Sequence, residues 1–554
     1  DGGLKPNVIS PGSELSTWPA WNMSQNPFAG GIGVRVYELP PGYEMIQGTS
    51  MASPMTAGAA ALLISAALQN GFTPSPEQLQ KSLTSSAKFI SGYQAYEQGN
   101  GLVQVDKAWD ILKNQPATPS ITSTAPVNTK ISQLLAPYDG YGIYEREGWK
   151  PGDSGDRTIT FGGDAGTYNV SWLGNDGTFS SAGTVTVPGT LTVHVGPVTA
   201  GIHSAILRLD SGNPAANGYD DAVLNTVVAA DQFTSPSFST TATRSPDRAD
   251  YKSYFVNVAE GTSALQLSEA VTTGRTRLDI TDPFGVPYHL TLPCGCALDF
   301  ATASATKTLS IPNPMAGVWE IDVEASRSAP AAVSTATVTA AELGVSVTPP
   351  SWTVTGTQTG QTYTNHFTFT NNLGSFTGSA TGTPLGSAFR DHPTATAPVS
   401  GQPDTTQTFP IAVPSGATSL HVQIGNPVEP NTDLDLFLFD PNGNLVKQSA
   451  GSTANEQVTV DNPVAGTYTA VVDDFAVGGS GTTTYDYLDV IALPGLGSIT
   501  TNDTDATHAP GTSWSADASV TPQGTAGTGR FLLGYVQVTS GGAVIGRAEV
   551  DLLP

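Results

Sequence analysis

The chain reads as a multidomain protein, a short α/β opening segment followed by several antiparallel β-sandwich or jelly-roll domains. Three observations predict this. Its 554 residues exceed what one core organises, at about 100–200 residues per domain. Only 12 % of residues are charged while Gly (60) and Pro (41) abound, a composition that suits strands and turns better than long solvated helices. Helical patterning is confined to the first 115 residues, and period-2 alternation takes over after them.

Within 1–115, residues 51–69 read as a buried helix closed by Asn70 and Gly71. Ser75, Pro76 and Glu77 open a second helix with a Ser cap and Pro at its first position, and 105–114 gives a short third. The Pro/Thr/Ser-rich stretch 114–129 reads as a linker. Beyond it "DRTITFGG", "GTYNVSWLG" and "LTVHVG" alternate between apolar and polar residues, so 116–230 is expected to be a β-sandwich.

An internal repeat follows. "VAEGTSALQL" (258–267) matches "VPSGATSLHV" (413–422), "RLDITDPFG" (277–285) matches "DLFLFDPNG" (435–443), and "IPNPMAGVWEIDV" (311–323) matches "VDNPVAGTYTAVV" (460–472). Two copies of one jelly-roll-like sandwich are therefore expected, at 231–340 and 395–495. Residues 341–394 read as a partial sandwich that 496–554 would complete, with the second copy inserted between them.

Lys plus Arg number 22 against 47 Asp plus Glu, a net charge of −25, which is the wrong sign for neutralising phosphates and excludes nucleic acid as a partner. The negative charges are scattered rather than blocked, as on a solvated surface. No apolar run reaches the roughly 20 residues of a membrane-spanning helix, the longest being 57–68, so no transmembrane segment is expected. Only two cysteines occur, Cys294 and Cys296, open to a tight local disulfide or to two plain thiols.

The chemistry concentrates in "GTSMASP" (48–54), directly before the small-residue run "MTAGAAALLISAAL". A serine at a helix start can attack a carbonyl if a base takes its proton, because unpaired N–H groups and the positive end of the helix dipole face the developing oxyanion. The plain alternative is that Ser50 or Ser53 merely caps the helix.

The whole local pattern resembles the segment around the nucleophile of the subtilisin-like serine peptidases. "LKPNVISPG" (4–12) resembles the strand and loop that precede it there, with Asn7 where Asp is common, and "GNGLVQVDKAW" (99–109) resembles the Gly-x-Gly segment and terminal helix that close the catalytic domain. Met55 stands where the family often has His. The resemblance implies that 1–115 is the C-terminal part of an α/β subtilisin-like catalytic domain, with Ser50 as nucleophile and Gly48, Thr49 and Met51 as its motif and substrate-binding neighbours. "GIYEREGW" (142–149) and the sandwich around it are similar to large secreted bacterial subtilases related to tripeptidyl peptidase II, and the repeats are similar to pre-peptidase C-terminal domains.

In that family Asp, His and a side-chain oxyanion donor, an Asn, precede the Ser, and residues 1–49 have no room for them. All seven histidines follow Ser50, in the strand-rich part, where each reads as an ordinary strand or turn residue; Asp1, Asn7, Asn22 and Asn26 do not match the family's Asp or oxyanion Asn. The resemblance therefore implies a missing N-terminal part that completes the site, a chain inactive by itself, extracellular location with the signal peptide outside this chain, and a polypeptide substrate.

No cofactor is required by this chemistry. Asp433, Asp435 and Asp440 in "NTDLDLFLFDPNGN" form a candidate structural Ca²⁺ set, against the plainer reading of solvated strand carboxylates and a self-sufficient DPNG turn. Trp319, Tyr485 and Tyr487 are candidates for a carbohydrate-binding face or for packing. Two functions are thus in competition: a serine endopeptidase, and an extracellular binding or adhesion protein built on an inactive subtilase remnant.

Overall fold

A computed structural model describes residues 3–17, 43–132, 139–196, 198–288, 297–398, 405–429, 432–451, 453–479 and 481–554. Cys294 and Cys296, together with His289, Asp1, Asn22 and Asn26, lie outside the described residues.

Among its described residues the opening segment holds four helices, α1 (Thr49–Gln69), α2 (Pro76–Ser86), α3 (Ala95–Gln98) and α4 (Val105–Leu112). Ser75 caps α2: its Oγ accepts the Gln78 N–H at 3.2 Å while the Gln78 Oε1 accepts the Ser75 N–H at 3.0 Å, so two donors are satisfied at once. Ala59 and Leu63 of α1, Leu83 of α2, and Ala108 and Leu112 of α4 make a small core, with Phe72 stacked on Trp109. A ribbon of Ser13–Thr17 antiparallel to Tyr43–Gln47 leads into α1.

Two local readings change. Ile121–Asn128, expected in the linker, is a strand that pairs in parallel with Tyr144–Trp149 and antiparallel with Gly155–Leu173. Thr122 and Thr124 lie on the outer face while Ser123 shares the inner one with the buried Ala125 and Val127, an alternation that Pro and Thr content disguised. Helix content also extends past residue 115, to α5 (Pro214–Asn217), where the Asn213 side chain accepts the Ala215 N–H at 3.1 Å and Pro214 takes the first position. The sheet that follows the opening segment has eight strands around Ile159, Phe161, Leu191, Val193, Leu207 and Val227.

The internal repeat is visible in three dimensions. Tyr251–Val258, Gly317–Ala325 and Arg275–Thr281 are neighbours in that order, and Thr406–Val413, Gly466–Ala476 and Asp433–Phe439 repeat the arrangement. The turns correspond as well: Asp282 Oδ1 accepts the N–H groups of Phe284 and Val286, as Asp440 Oδ1 accepts those of Asn442 and Asn444.

Strands on either side of the second repeat share one core. Tyr363–Asn371 lies between Val345–Thr348 and Ser513–Pro522 in one sheet, and Gly386–Asp391, Phe531–Ser540 and Ala543–Leu552 belong to another, with Phe367, Phe369, Leu532, Val536 and Val550 in the common core. Gly386–Asp391 pairs with Phe531–Ser540 on one side and with Asp486–Ala492 of the second repeat on the other, so hydrogen bonding runs unbroken from one sandwich into the next.

Candidate active site

Ser50 is the second residue of α1 and is exposed. It does not cap the helix. The N-cap is Gly48, at φ 151°, a conformation that favours glycine, and no side chain bonds back to it. The Gly48 N–H donates to the Gly12 carbonyl at 2.8 Å, and the Met51 N–H closes the first turn on the Gly48 carbonyl at 3.0 Å. The Met51 and Ala52 N–H groups both go to the Gly48 carbonyl, which leaves the N–H groups of Thr49 and Ser50 to join the helix dipole where Ser50 is displayed. Pro54 has no N–H to give, which leaves the Ser50 carbonyl without its usual partner four residues on.

The stretch 7–12 supports this start of α1. Ile9 donates its N–H to the Gly101 carbonyl at 2.9 Å and accepts the Val103 N–H at 3.0 Å. The Ser10 and Thr56 hydroxyls bond at 2.6 Å, tying the stretch to the second turn of α1. Gly99 and Gly101 permit the contact: a Cβ on Gly99 would fall 2.0 Å from the Pro6 carbonyl oxygen, and one on Gly101 2.2 Å from that of Lys88.

α1 is apolar all round yet covered on one side. Ala59, Leu63 and Ala67 are buried, whereas Leu62 is 63 % and Leu68 57 % exposed, with Met55 and Ile64 also in solvent. A helix of that composition belongs between two layers. By length and composition α1 is also one helix able to cross a membrane, where the sequence offers only the run 57–68, short and rich in Ala and Ser.

The described histidines are engaged far along the chain from Ser50. His203 bonds Asp176 at 2.7 Å, His194 bonds Asp156 at 2.7 Å, His366 bonds Asp517 at 2.8 Å and His392 bonds Asp486 at 2.8 Å, while His421 pairs with Thr459 and His508 stacks on Trp514. Trp319, Tyr485 and Tyr487 are buried in sandwich cores and present no binding face.

Asp433, Asp435 and Asp440 do not come together. Asp433 and Asp435 lie at the start of the strand Asp433–Phe439 and Asp440 follows its end, roughly 20 Å away at strand rise. Hydrogen bonds from Asn444 and Asn442 occupy Asp440 and hold its pKa below the ordinary value. Burial and the neighbouring carboxylates, Glu456 foremost for Asp433 and Asp433 foremost for Asp435, push the other two up. Among the described residues no group of three His, Cys, Asp or Glu side chains could hold a metal ion, so this set does not fit Ca²⁺.

Two buried polar contacts between the opening segment and the eight-stranded sheet that follows it are not legible in the sequence. Lys81 Nζ of α2 lies 2.6 Å from Asp220 Oδ1, and Arg208 donates to the Asn100 Oδ1 at 2.8 Å. The one local signal was an Arg inside "SAILRLD", a strand stretch buried at every position.

Residues 1–105 match the model of the subtilase family, 122–229 that of an Ig-like domain in actinomycete serine proteases, and 405–474 that of the bacterial pre-peptidase C-terminal domain. Pyrolysin of Pyrococcus furiosus is 31 % identical over an alignment of 533 residues that covers 89 % of this chain and 34 % of pyrolysin. Tripeptidyl-peptidase 2 of Drosophila melanogaster is 31 % identical over 112 residues, 20 % of this chain and 7 % of that protein. The membrane-bound transcription factor site-1 protease of Homo sapiens is 32 % identical over 114 residues, 21 % of this chain and 11 % of that protein. The chain thus spans about a third or less of the length of these relatives. A crystal structure of tripeptidyl peptidase 2 superposes with a TM-score of 0.50 at 14 % identity, over 91 % of this chain and 46 % of that one, a likeness of fold alone.

Proposed function

Residues 1–105 belong to the subtilase family, and on that premise we propose that the parent protein is a secreted serine endopeptidase with Ser50 as its nucleophile. The observation that carries the reading is the exposed Ser50 hydroxyl at the start of α1, behind a Gly48 clamped to the 7–12 stretch. Ser50 Oγ attacks the scissile carbonyl as a base takes its proton; the amine leaves, and water releases the acyl group from Ser50. The backbone N–H of Ser50, at the start of α1, contributes a donor to the oxyanion.

The His base, its Asp and the Asn donor are assigned to catalytic-domain residues outside this chain. The bare apolar side of α1, with Leu62, Ile64 and Leu68, supports that assignment, since it is the surface a further layer of the same domain would cover. Separated from the base, this chain should not turn over substrate. Extracellular location is supported by the kinds of module that 122–229 and 405–474 match.

The test is labelling of the parent protein and of this chain with a fluorophosphonate, followed by mapping of the modified peptide. Modification at Ser50 in the parent alone is the expected result. A folded parent that takes no label would refute the peptidase reading and favour a binding protein on an inactive remnant.

A further inference from the structure

Arg208 belongs to the strand Gly201–Asp210 of the eight-stranded sheet, within the stretch that matches the Ig-like domain, and is only 7 % exposed. Among the described residues it makes no ion pair; its Nε is buried without a hydrogen-bond partner, and its guanidinium stands 4.3 Å from the Tyr219 ring. Burying a guanidinium without a counter-ion is costly, and an apolar side chain would fill the same space without that cost. Besides its contact with the Tyr219 side chain, what the guanidinium adds is its hydrogen bond to the Asn100 Oδ1 at 2.8 Å.

Asn100 is 1 % exposed and stands between the two glycines that press against the backbone of residues 6 and 88. Its backbone N–H and its Nδ2 both donate to the Asn7 carbonyl, at 3.0 and 3.2 Å. A side-chain amide can face either way, but a guanidinium only donates. Arg208 therefore holds the Asn100 oxygen toward itself and the Nδ2 toward Asn7. From Asn7 the chain runs through Ile9, paired to Gly101 and Val103, to Ser10 on Thr56 and to the Gly12 carbonyl that receives the Gly48 N–H. Ser50 is two residues further on.

We propose that Arg208 and Asn100 are positioning residues for Ser50, so that the Ig-like domain is part of the scaffold that aims the nucleophile rather than an appended module. The inference rests on the peptidase reading and deepens it. Neither residue touches the reacting atoms; they act by fixing the 7–12 stretch on which the start of α1 is hung.

The experiment is the kinetics of fluorophosphonate labelling at Ser50 in the parent protein, with the maximal rate separated from the half-saturating probe concentration. Arg208→Met and Asn100→Asp should each lower the maximal rate on the order of tenfold with half-saturation unchanged, because misplacement of a reacting group acts on the chemical step. Arg208→Lys, which retains a donor-only cation, should recover part of the loss. Asn100→Asp keeps an acceptor, now charged, for Arg208 and turns an oxygen instead of the Nδ2 donor toward the Asn7 carbonyl, leaving only the backbone N–H there, so it serves if Arg208→Met does not fold. Lys81→Met loosens the same inter-module contact without touching Asn100 and should leave the maximal rate at the wild-type value. Wild-type rates in both Arg208→Met and Asn100→Asp would overturn the inference, as would a Lys81→Met rate lowered as far as theirs. A wild-type parent unlabelled at Ser50 would remove the peptidase reading and this inference with it.

Discussion

Lys81→Met is the substitution whose cost the structure defines most sharply. Lys81 Nζ lies 2.6 Å from Asp220 Oδ1 and 2.7 Å from the Ala117 carbonyl, and the Lys81 and Asp220 side chains are 7 % and 5 % exposed. At that separation and an effective dielectric near 20 the attraction is about 6 kcal/mol, offset by a desolvation penalty of several kcal/mol for each ion. Removing Lys81 alone leaves the penalty on Asp220 in place, and breaking a buried pair in this way costs about 3–5 kcal/mol. Ser211 still donates to Asp220 through its N–H at 2.7 Å and its hydroxyl, so the lower end, about 3 kcal/mol, applies. Met keeps the aliphatic stem, so little packing is lost.

The pH dependence has a definite sign. Burial pushes the Asp220 carboxyl up, but Lys81 and Ser211 pull it further down, and it stays below the ordinary value in the folded protein. The pair's stabilisation is therefore present above the unfolded value near 4 and fades as pH falls through the folded one. The assay is hydrogen exchange of the α2 amides against wild type at matched pH. At pH 7 the variant should exchange about 150-fold faster, the equivalent of about 3 kcal/mol. The difference should hold down to about pH 4 and shrink below it, as Asp220 takes up its proton in the folded protein. Adding Asp220→Leu should restore most of the protection, because the stranded charge is then gone. A change under about threefold at pH 7 would refute the reasoning, since the buried-pair penalty would be absent.

Three further outcomes are expected. Asp322 faces Asp279 across paired strands, and burial together with Glu320 and Asp279 pushes it up to about 7 against the pull of Ser253 and Arg146. Stability at this site is complete below the unfolded value and lost as pH rises through about 7, so Asp322→Asn should melt higher than wild type at pH 8 and close to it at pH 4. Gly99→Ala places a Cβ 2.0 Å from the Pro6 carbonyl oxygen at φ 59° and should destabilise the opening segment by more than about 2 kcal/mol, read as lost exchange protection at residues 99–103. Because Asp440 is committed to its own turn, Asp440→Ala should lower the melting temperature equally with and without Ca²⁺; a Ca²⁺-dependent difference would reinstate the abandoned set.

The sequence by itself determined whatever depends on near neighbours. Ser75, Pro76 and Gln78 are enough to start α2, because a capping box closes within four residues. Gly48 to Ser50 before a small-residue run is enough to put a serine at a helix start, and the two DPxG turns and their flanking strands declare the repeat through period-2 alternation. Where alternation was written in Thr, Ser and Pro, at Ile121–Asn128, even the local element was missed. Tertiary structure alone decided which distant groups meet. Lys81 finds Asp220 across 139 residues and Arg208 finds Asn100 across 108, and no spacing or periodicity encodes such pairings. It also separated Asp440 from Asp433 and Asp435, adjacent in the sequence yet at opposite ends of a strand, and it left one side of α1 bare. Periodicity specifies the face a residue presents; the partner on that face is chosen by how the sheets and helices pack, because packing joins residues with no regard to their distance along the chain.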